Sequence, residues 1–185
     1  MVELSPQSPF RDPLPFKQGR ASLTENQPEY ISAIMPHQGQ ETALSAVLKK
    51  VHDLSLPPAG QSSANKHLRL LWAGRGTYFL VGEKPPDRAL ARVASLVDQS
   101  DGWCSLSLDG EDAAEVLARL SPLDLRLKVF KPGNTARSEL QHMMALYLRT
   151  RSGFEIMVMR SFAHSALHHL KEAMTSVAAQ NRIAG

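Results

Sequence analysis

Apolar and polar positions along this chain fall into short alternating runs and longer helical stripes. Residues 154–159 form an apolar run that predicts a strand. That strand passes through Arg160 and Ser161 straight into an amphipathic helix. In the helix, Ala163, Ala166, Leu167, Leu170, Met174 and Val177 recur at the three- and four-residue spacing of one helical face. Residues 143–149 supply a partner strand, and Arg151-Ser152-Gly153 turns the chain between the two.

The same patterning runs upstream. A short strand is expected over 30–35 and a helix over 40–51, with Ala43, Leu44, Val47, Leu48 and Val51 on one face. Leu56-Pro57-Pro58-Ala59-Gly60 ends that unit, and 61–66 is a polar loop. Residues 68–72 and 78–81 read as a hairpin around Gly74-Arg75-Gly76. Pro85-Pro86-Asp87 opens a predicted helix, with Asp87 as its cap and Leu90, Val93 and Val97 as its buried stripe. Residues 102–108 alternate, with Cys104, Leu106 and Leu108 on one face and Trp103, Ser105 and Ser107 on the other. A helix is predicted over 109–120. Asp109 is its cap, Asp112 sits in the first turn where the helix dipole favours an anion, and Ala113, Val116, Leu117 and Leu120 form its apolar face. Ser121-Pro122-Leu123-Asp124-Leu125 breaks it, and a loop through Lys131-Pro132-Gly133 follows.

Residues 1–28 differ from the rest. Pro6, Pro9, Pro13, Pro15 and Pro28 fix φ and remove backbone donors, which predicts an extended arm. Phe10, Leu14 and Phe16 suggest that the arm lies on something, with a mobile tail as the plain alternative. The remaining 29–185 form the body, with lobes at about 29–108 and 109–185. Helices alternating with hairpins argue for an α+β fold, in which antiparallel sheets carry helices on one side. A parallel nucleotide-binding sheet would need repeated crossovers and a glycine-rich phosphate loop after a strand.

Composition narrows the function classes. The chain has 185 residues, enough for one compact body with its own core. Basic side chains number 21 and acidic ones 18, a mixed surface without the basic stripe expected of a nucleic-acid binder. Cys104 is the only cysteine, so no internal disulfide forms, as in a reducing compartment. Met1-Val2-Glu3-Leu4-Ser5-Pro6 has neither the basic start nor the apolar run of a signal peptide. No apolar run approaches the ~20 residues of a membrane span. The expectation is a soluble cytoplasmic protein.

Each candidate for chemistry has an ordinary structural reading beside it. Gly74-Arg75-Gly76 lacks the third glycine of a dinucleotide fingerprint and precedes a strand, so it reads as a turn. His164, His168 and Glu172 share one side of the last helix and could offer metal ligands, but the spacing is not His-Glu-x-x-His and no further ligand is evident. Cys104 alternates with Leu106 and Leu108, which points to a core thiol with a raised pKa. Asp98 and Asp101 suit acid–base work, but also an ordinary turn around Gln99-Ser100. Arg137 and Arg160 lie beside strands, where each could bind an anion, pair with an acidic partner or simply sit at the surface. No residue is nominated as catalytic, cofactor-binding or metal-binding.

Several stretches, taken in order, resemble a known family. They are Leu56-Pro57, Leu70-Leu71-Trp72-Ala73-Gly74, Asp98-Gln99-Ser100-Asp101-Gly102, and residues 108–117 from Leu108-Asp109-Gly110 to Val116-Leu117. Pro122-Leu123-Asp124-Leu125 follows, then Phe130, Pro132, Gly133, Ala136 and Arg137, then Gly153-Phe154-Glu155-Ile156 and Arg160-Ser161-Phe162-Ala163. Across about 44–170 the chain resembles the gamma subunit of heterotetrameric sarcosine oxidase. It departs from the family at Arg75-Gly76-Thr77-Tyr78, where Pro-Asp-Glu-Trp is usual, and at Ser138, where threonine is usual. The resemblance implies a fold similar to the folate-binding domains of the glycine-cleavage T-protein and of the tRNA-modifying GTPase. It implies a structural subunit of an enzyme that oxidatively demethylates sarcosine to glycine, forming hydrogen peroxide and passing the one-carbon unit to tetrahydrofolate or releasing it as formaldehyde. The implied partners are alpha, beta and delta subunits. The implied flavins (FAD, FMN), NAD and tetrahydrofolate belong to those partners. The competing reading is a free-standing folate-binding, one-carbon transfer protein.

Overall fold

The computed structural model describes residues 7–184. Residues 1–6 of the expected arm lie outside the described residues. Two antiparallel sheets organise the chain. The first has six strands in the order β1 (Phe16–Gln18), β2 (Ala21–Asn26), β8 (Trp103–Gly110), β11 (Gly153–Met159), β10 (Met143–Arg149), β9 (Thr135–Leu140). The second has five, in the order β4 (Ser62–Ala64), β5 (Leu68–Gly74), β6 (Thr77–Gly82), β3 (Tyr30–Pro36), β7 (Ala94–Asp98). The helices are α1 (Glu41–His52), α2 (Ala113–Ala118) and α3 (Ala163–Ala184). Among the described residues no helix is long and apolar enough to cross a membrane.

Alternation along the strands builds three apolar layers. Leu106, Leu108, Ile156, Val158, Ala145 and Tyr147 face α2 and α3, meeting Val116, Leu117, Leu167 and Leu170. Ile34, Leu70 and Leu80 face α1, meeting Leu44 and Leu48. The opposite faces of the sheets meet each other through Ile31, Leu71, Phe79, Trp103, Leu146 and Met157. Each sheet therefore carries helices on one face only, and the two bare faces close on each other. This α+β arrangement explains why all of 153–158 is buried: β11 lies between helices and the second sheet.

Two glycines permit the closest approach in the first sheet. A Cβ on Gly153 would lie 2.0 Å from the Leu108 carbonyl oxygen, and one on Gly110 would lie 2.0 Å from that of Arg20. Gly110 also has φ +112, a conformation that L side chains rarely adopt.

Four expectations need correction. The 1–28 arm contains the β1–β2 hairpin, which pairs with β8 from Ala21↔Gly110 to Asn26↔Ser105. No proline falls within 16–26, so the ladder keeps its donors there. The proline-containing stretch before it lies on this chain's own body: Phe10, Leu14 and Phe16 pack on the helix-side core, and Lys171 Nζ donates to Asp12 Oδ2 at 2.9 Å. The boundary at about 108 does not divide the sheets, because β8 belongs with the C-terminal strands. The helix expected after Asp87 is a short 3-10 turn, Arg88–Arg92, followed by β7. Asp87 does cap that turn, accepting from Ala89 N–H at 2.7 Å. Pairing with the open edge of β3 outweighs the weak helical stripe, and Val97 is left exposed at 42%. The helix expected over 109–120 shrinks to 113–118, because β8 continues to Gly110 and makes Asp109 a strand residue.

Candidate functional site

The inter-sheet layer changes character along its length. Moving two residues along three facing strands replaces Leu71, Met157 and Trp103 by Arg69, Glu155 and Ser105. Side chains two apart share a face, so these polar groups continue the apolar layer. Glu155 is 2% exposed and Arg69 34%. The Arg69 guanidinium donates to both Glu155 oxygens, Nη1 to Oε2 and Nη2 to Oε1, the latter at 3.1 Å. Ser105 Oγ donates to Glu155 Oε1 at 2.9 Å. Asn26 Nδ2 donates to Ser105 Oγ at 3.1 Å, and Ser107 Oγ donates to Asn26 Oδ1 at 3.0 Å.

This network opens into a cleft of about 620 Å³, lined among others by Asn26, Ser107, Thr150 and the Arg69–Glu155 pair. A second cavity of about 550 Å³ lies on the other side of the β2–β3 connection, against Trp103, Asp98 and Arg160. The chemistry available at the first cleft is limited. Both Glu155 oxygens are already engaged by donors, so the carboxylate is a neutralised strut between sheets and is poorly placed to take a substrate proton. Sequence reasoning did not single out this pair. Its signal was a lone carboxylate and a lone guanidinium inside two apolar strands.

The structure brings Asp98, Asp101, Cys104 and Arg160 to the second cavity, whose lining includes neither Arg137 nor the histidines of α3. Cys104 is buried in the core as expected, on the helix-side face of its sheet, and lies 3.6 Å from the Val158 carbonyl oxygen. Burial pushes its thiol up to about 12, far from the thiolate a nucleophile needs. His168 and Glu172 are both exposed and lie 3.3 Å apart, with His169 at 3.6 Å from the same carboxylate. Among the described residues no group of three His, Cys, Asp or Glu side chains is placed to hold a metal ion.

Asp98 and Asp101 frame a turn. Ser100 donates from its hydroxyl and its backbone N–H to Asp98 Oδ1, at 2.6 and 2.9 Å. Those bonds hold the Asp98 carboxyl below its ordinary value. Ser100 Oγ in turn accepts from Ile31 N–H at 3.1 Å, fastening the turn to β3. Arg160 donates from its backbone N–H to Gly102 O at 2.9 Å and from Nη2 to Gln7 O at 2.5 Å. Arg137 sits on β9, donates to Ala73 O at 3.3 Å and lies 6.0 Å from the Trp103 ring centroid. Gly74 and Gly76, both at positive φ, turn β5 into β6.

Among the described residues Asp112 is the other buried carboxylate, and it was expected only as a favourable charge in a helix turn. It is 3% exposed and accepts from Arg20 N–H at 3.1 Å, from Arg20 Nη2 at 2.6 Å and from Asn181 Nδ2 at 3.1 Å. Burial pushes its carboxyl up, but the Arg20 bonds and charge, with Asn181, outweigh it and leave the group below its ordinary value. It ties the β1–β2 turn to the start of α2 and the end of α3.

No family model matches the sequence. No curated protein matches it either. A solved structure does. The fold is similar to that of a chain of the heterotetrameric sarcosine oxidase from Corynebacterium sp. U-96, solved in complex with pyrrole 2-carboxylate, with a TM-score of 0.73 and 23% identity. The match covers 88% of this chain and 88% of that one. The two-sheet arrangement described above is thus the fold of a chain found in a sarcosine oxidase assembly. Equal coverage also makes the two chains nearly equal in length, so a small chain is matched almost whole.

Proposed function

We propose that this chain is a gamma-type, non-catalytic subunit of a heterotetrameric sarcosine oxidase complex. The observation that carries the reading is the likeness of fold over nearly the full length of both chains. Side-chain chemistry supports it. The buried thiol, the two buried carboxylates and the Asp98 turn are each held by packing or by internal hydrogen bonds. These groups stiffen a scaffold; Glu155, Asp98 and Cys104 border the two cavities, but none of them is held as an activated nucleophile or base.

In this reading the chain contributes a rigid body that holds a flavin-bearing neighbour in place. The alpha, beta and delta subunits are its partners, and FAD, FMN, NAD and tetrahydrofolate reside with them. Oxidative demethylation of sarcosine to glycine takes place in those partners, in the cytoplasm. The fold likeness to the folate-binding domain of the glycine-cleavage T-protein belongs to the same reading, with no folate held by this chain alone. The test is the purified chain by itself. The expected preparation is colourless, forms no hydrogen peroxide from sarcosine, and gives little or no heat with tetrahydrofolate in a calorimeter. A yellow, active preparation would overturn the proposal, and a saturable folate isotherm would favour the free-standing folate-binding alternative.

A further inference from the structure

The loop between α2 and β9 is anchored and projecting at once. Leu125 and Phe130 are buried in the helix-side core, while Leu127 and Val129 between them are 59% and 56% exposed. Lys128 and Lys131 are exposed beside them. Arg126 is already held by Asp124, at 2.6 and 2.8 Å. No ion pair forms at Lys128 or Lys131 among the described residues. Two large apolar side chains and two uncommitted cations therefore share one short segment.

A third cation lies against this segment. Phe130 stacks on Phe154 with ring centroids 6.4 Å apart, and the Arg149 guanidinium sits 4.3 Å from the same Phe154 ring. The Lys131 turn is bonded to that strand end: Asn134 N–H donates to Lys131 O, and Arg149 N–H donates to Asn134 O, both at 2.9 Å. Arg149 Nε is a buried side-chain nitrogen with no hydrogen-bond partner among the described residues. No carboxylate pairs with Arg149 there. Burial pulls this guanidinium below its ordinary value with no opposing charge. A partly desolvated cation lacking a counter-charge gains most from an incoming carboxylate.

We propose that Arg149 and the loop over residues 127–131 form the docking surface for an acidic segment of a partner subunit. Resting as it does on the subunit reading above, the proposal adds where the partner binds and what chemistry it presents. The matching surface carries Asp or Glu side chains for Lys128, Lys131 and Arg149, with an apolar recess for Leu127 and Val129. Charge attracts and orients the partner, and the apolar pair supplies the dehydrated contact.

The experiment measures binding of the full chain to the recombinant alpha subunit and the flavin-bearing beta subunit by biolayer interferometry at low and high salt. The expected result is that Lys128→Glu with Lys131→Glu weakens binding by about tenfold or more and flattens its salt dependence. Leu127→Ser with Val129→Ser also weakens it, with the salt dependence retained. All four positions are exposed, so folding is unaffected, as circular dichroism verifies. Arg88→Gln, on the 3-10 turn of the second sheet, is the control and binds as the unaltered chain does. Undiminished binding by both loop variants would overturn this inference and leave the subunit reading standing. Absence of binding by the unaltered chain would overturn both. Capture of duplex DNA through Lys128 and Lys131, with subunit binding unchanged, would also overturn it.

Discussion

Replacing Arg69 with methionine leaves Glu155 as a carboxylate 2% exposed between two sheets, with only Ser105 still donating to it. Removing one partner of a buried ion pair costs about 3–5 kcal/mol, because the remaining charge is uncompensated. Arg69 is itself a third exposed, so water reaches part of the vacated space and the lower end applies, about 3 kcal/mol. For a chain of this size that lowers Tm by roughly 6–12 °C. Restoring electrical balance with Glu155→Leu on top of Arg69→Met recovers stability to within about 1 kcal/mol of the native chain, since apolar replacement of a buried pair is often neutral. The assay is urea unfolding of the native chain, both single variants and the double variant, analysed as a double-mutant cycle. If Arg69→Met alone lies within about 0.5 kcal/mol of the native chain, or if the double variant is as unstable as the sum of the singles, Glu155 is not the charge strut described.

Three further outcomes are expected. A thiol reagent at mildly alkaline pH modifies Cys104 no faster than the chain unfolds, since burial pushes the thiol up to about 12; rapid labelling of the folded chain would contradict this. Gly153→Ala destabilises by about 3 kcal/mol or prevents soluble expression, because the added Cβ would meet the Leu108 carbonyl at 2.0 Å; a Tm equal to the native value would refute the close strand crossing. The Asp112 carboxyl is depressed in the folded chain, so its contribution is present above the unfolded value near 3.9 and is lost as pH falls through the folded value. Asp112→Asn therefore costs about 2 kcal/mol at neutral pH and flattens the acid limb of the stability curve; an unchanged acid limb would assign that limb to other groups.

How much was legible in the sequence depended on burial. The β10–β11 hairpin and α3 were readable because Ala145, Tyr147, Phe154 and Ile156 on the strands, and Ala166 and Leu170 on the helix, bury whole apolar faces. The α1 stripe and the β5–β6 hairpin were readable for the same reason. Strand β9 was not, because Arg137 and Glu139 alternate with Ala136 and Ser138 and it is an edge strand of its sheet. Strand β7 was misread because Leu90, Val93 and Val97 mimic a helical stripe over too few turns, while the open edge of β3 decides the outcome. The β1–β2 hairpin was hidden by the prolines before it, although Ala21 and Leu23 alternate inward. The two buried carboxylates were out of reach for another reason. Glu155 and Asp112 find their cations at Arg69 and Arg20, which lie 86 and 92 residues away in sequence. Pairings of that kind leave no local periodicity.

The most direct measurement of the central claim is co-expression with flavin-bearing sarcosine oxidase subunits, followed by size-exclusion chromatography with subunit quantification. The expected result is a single flavin-containing complex in which this chain is present in equal amount with its partners. If the chain elutes alone from such a mixture while the flavin subunits assemble without it, it is no subunit of that complex.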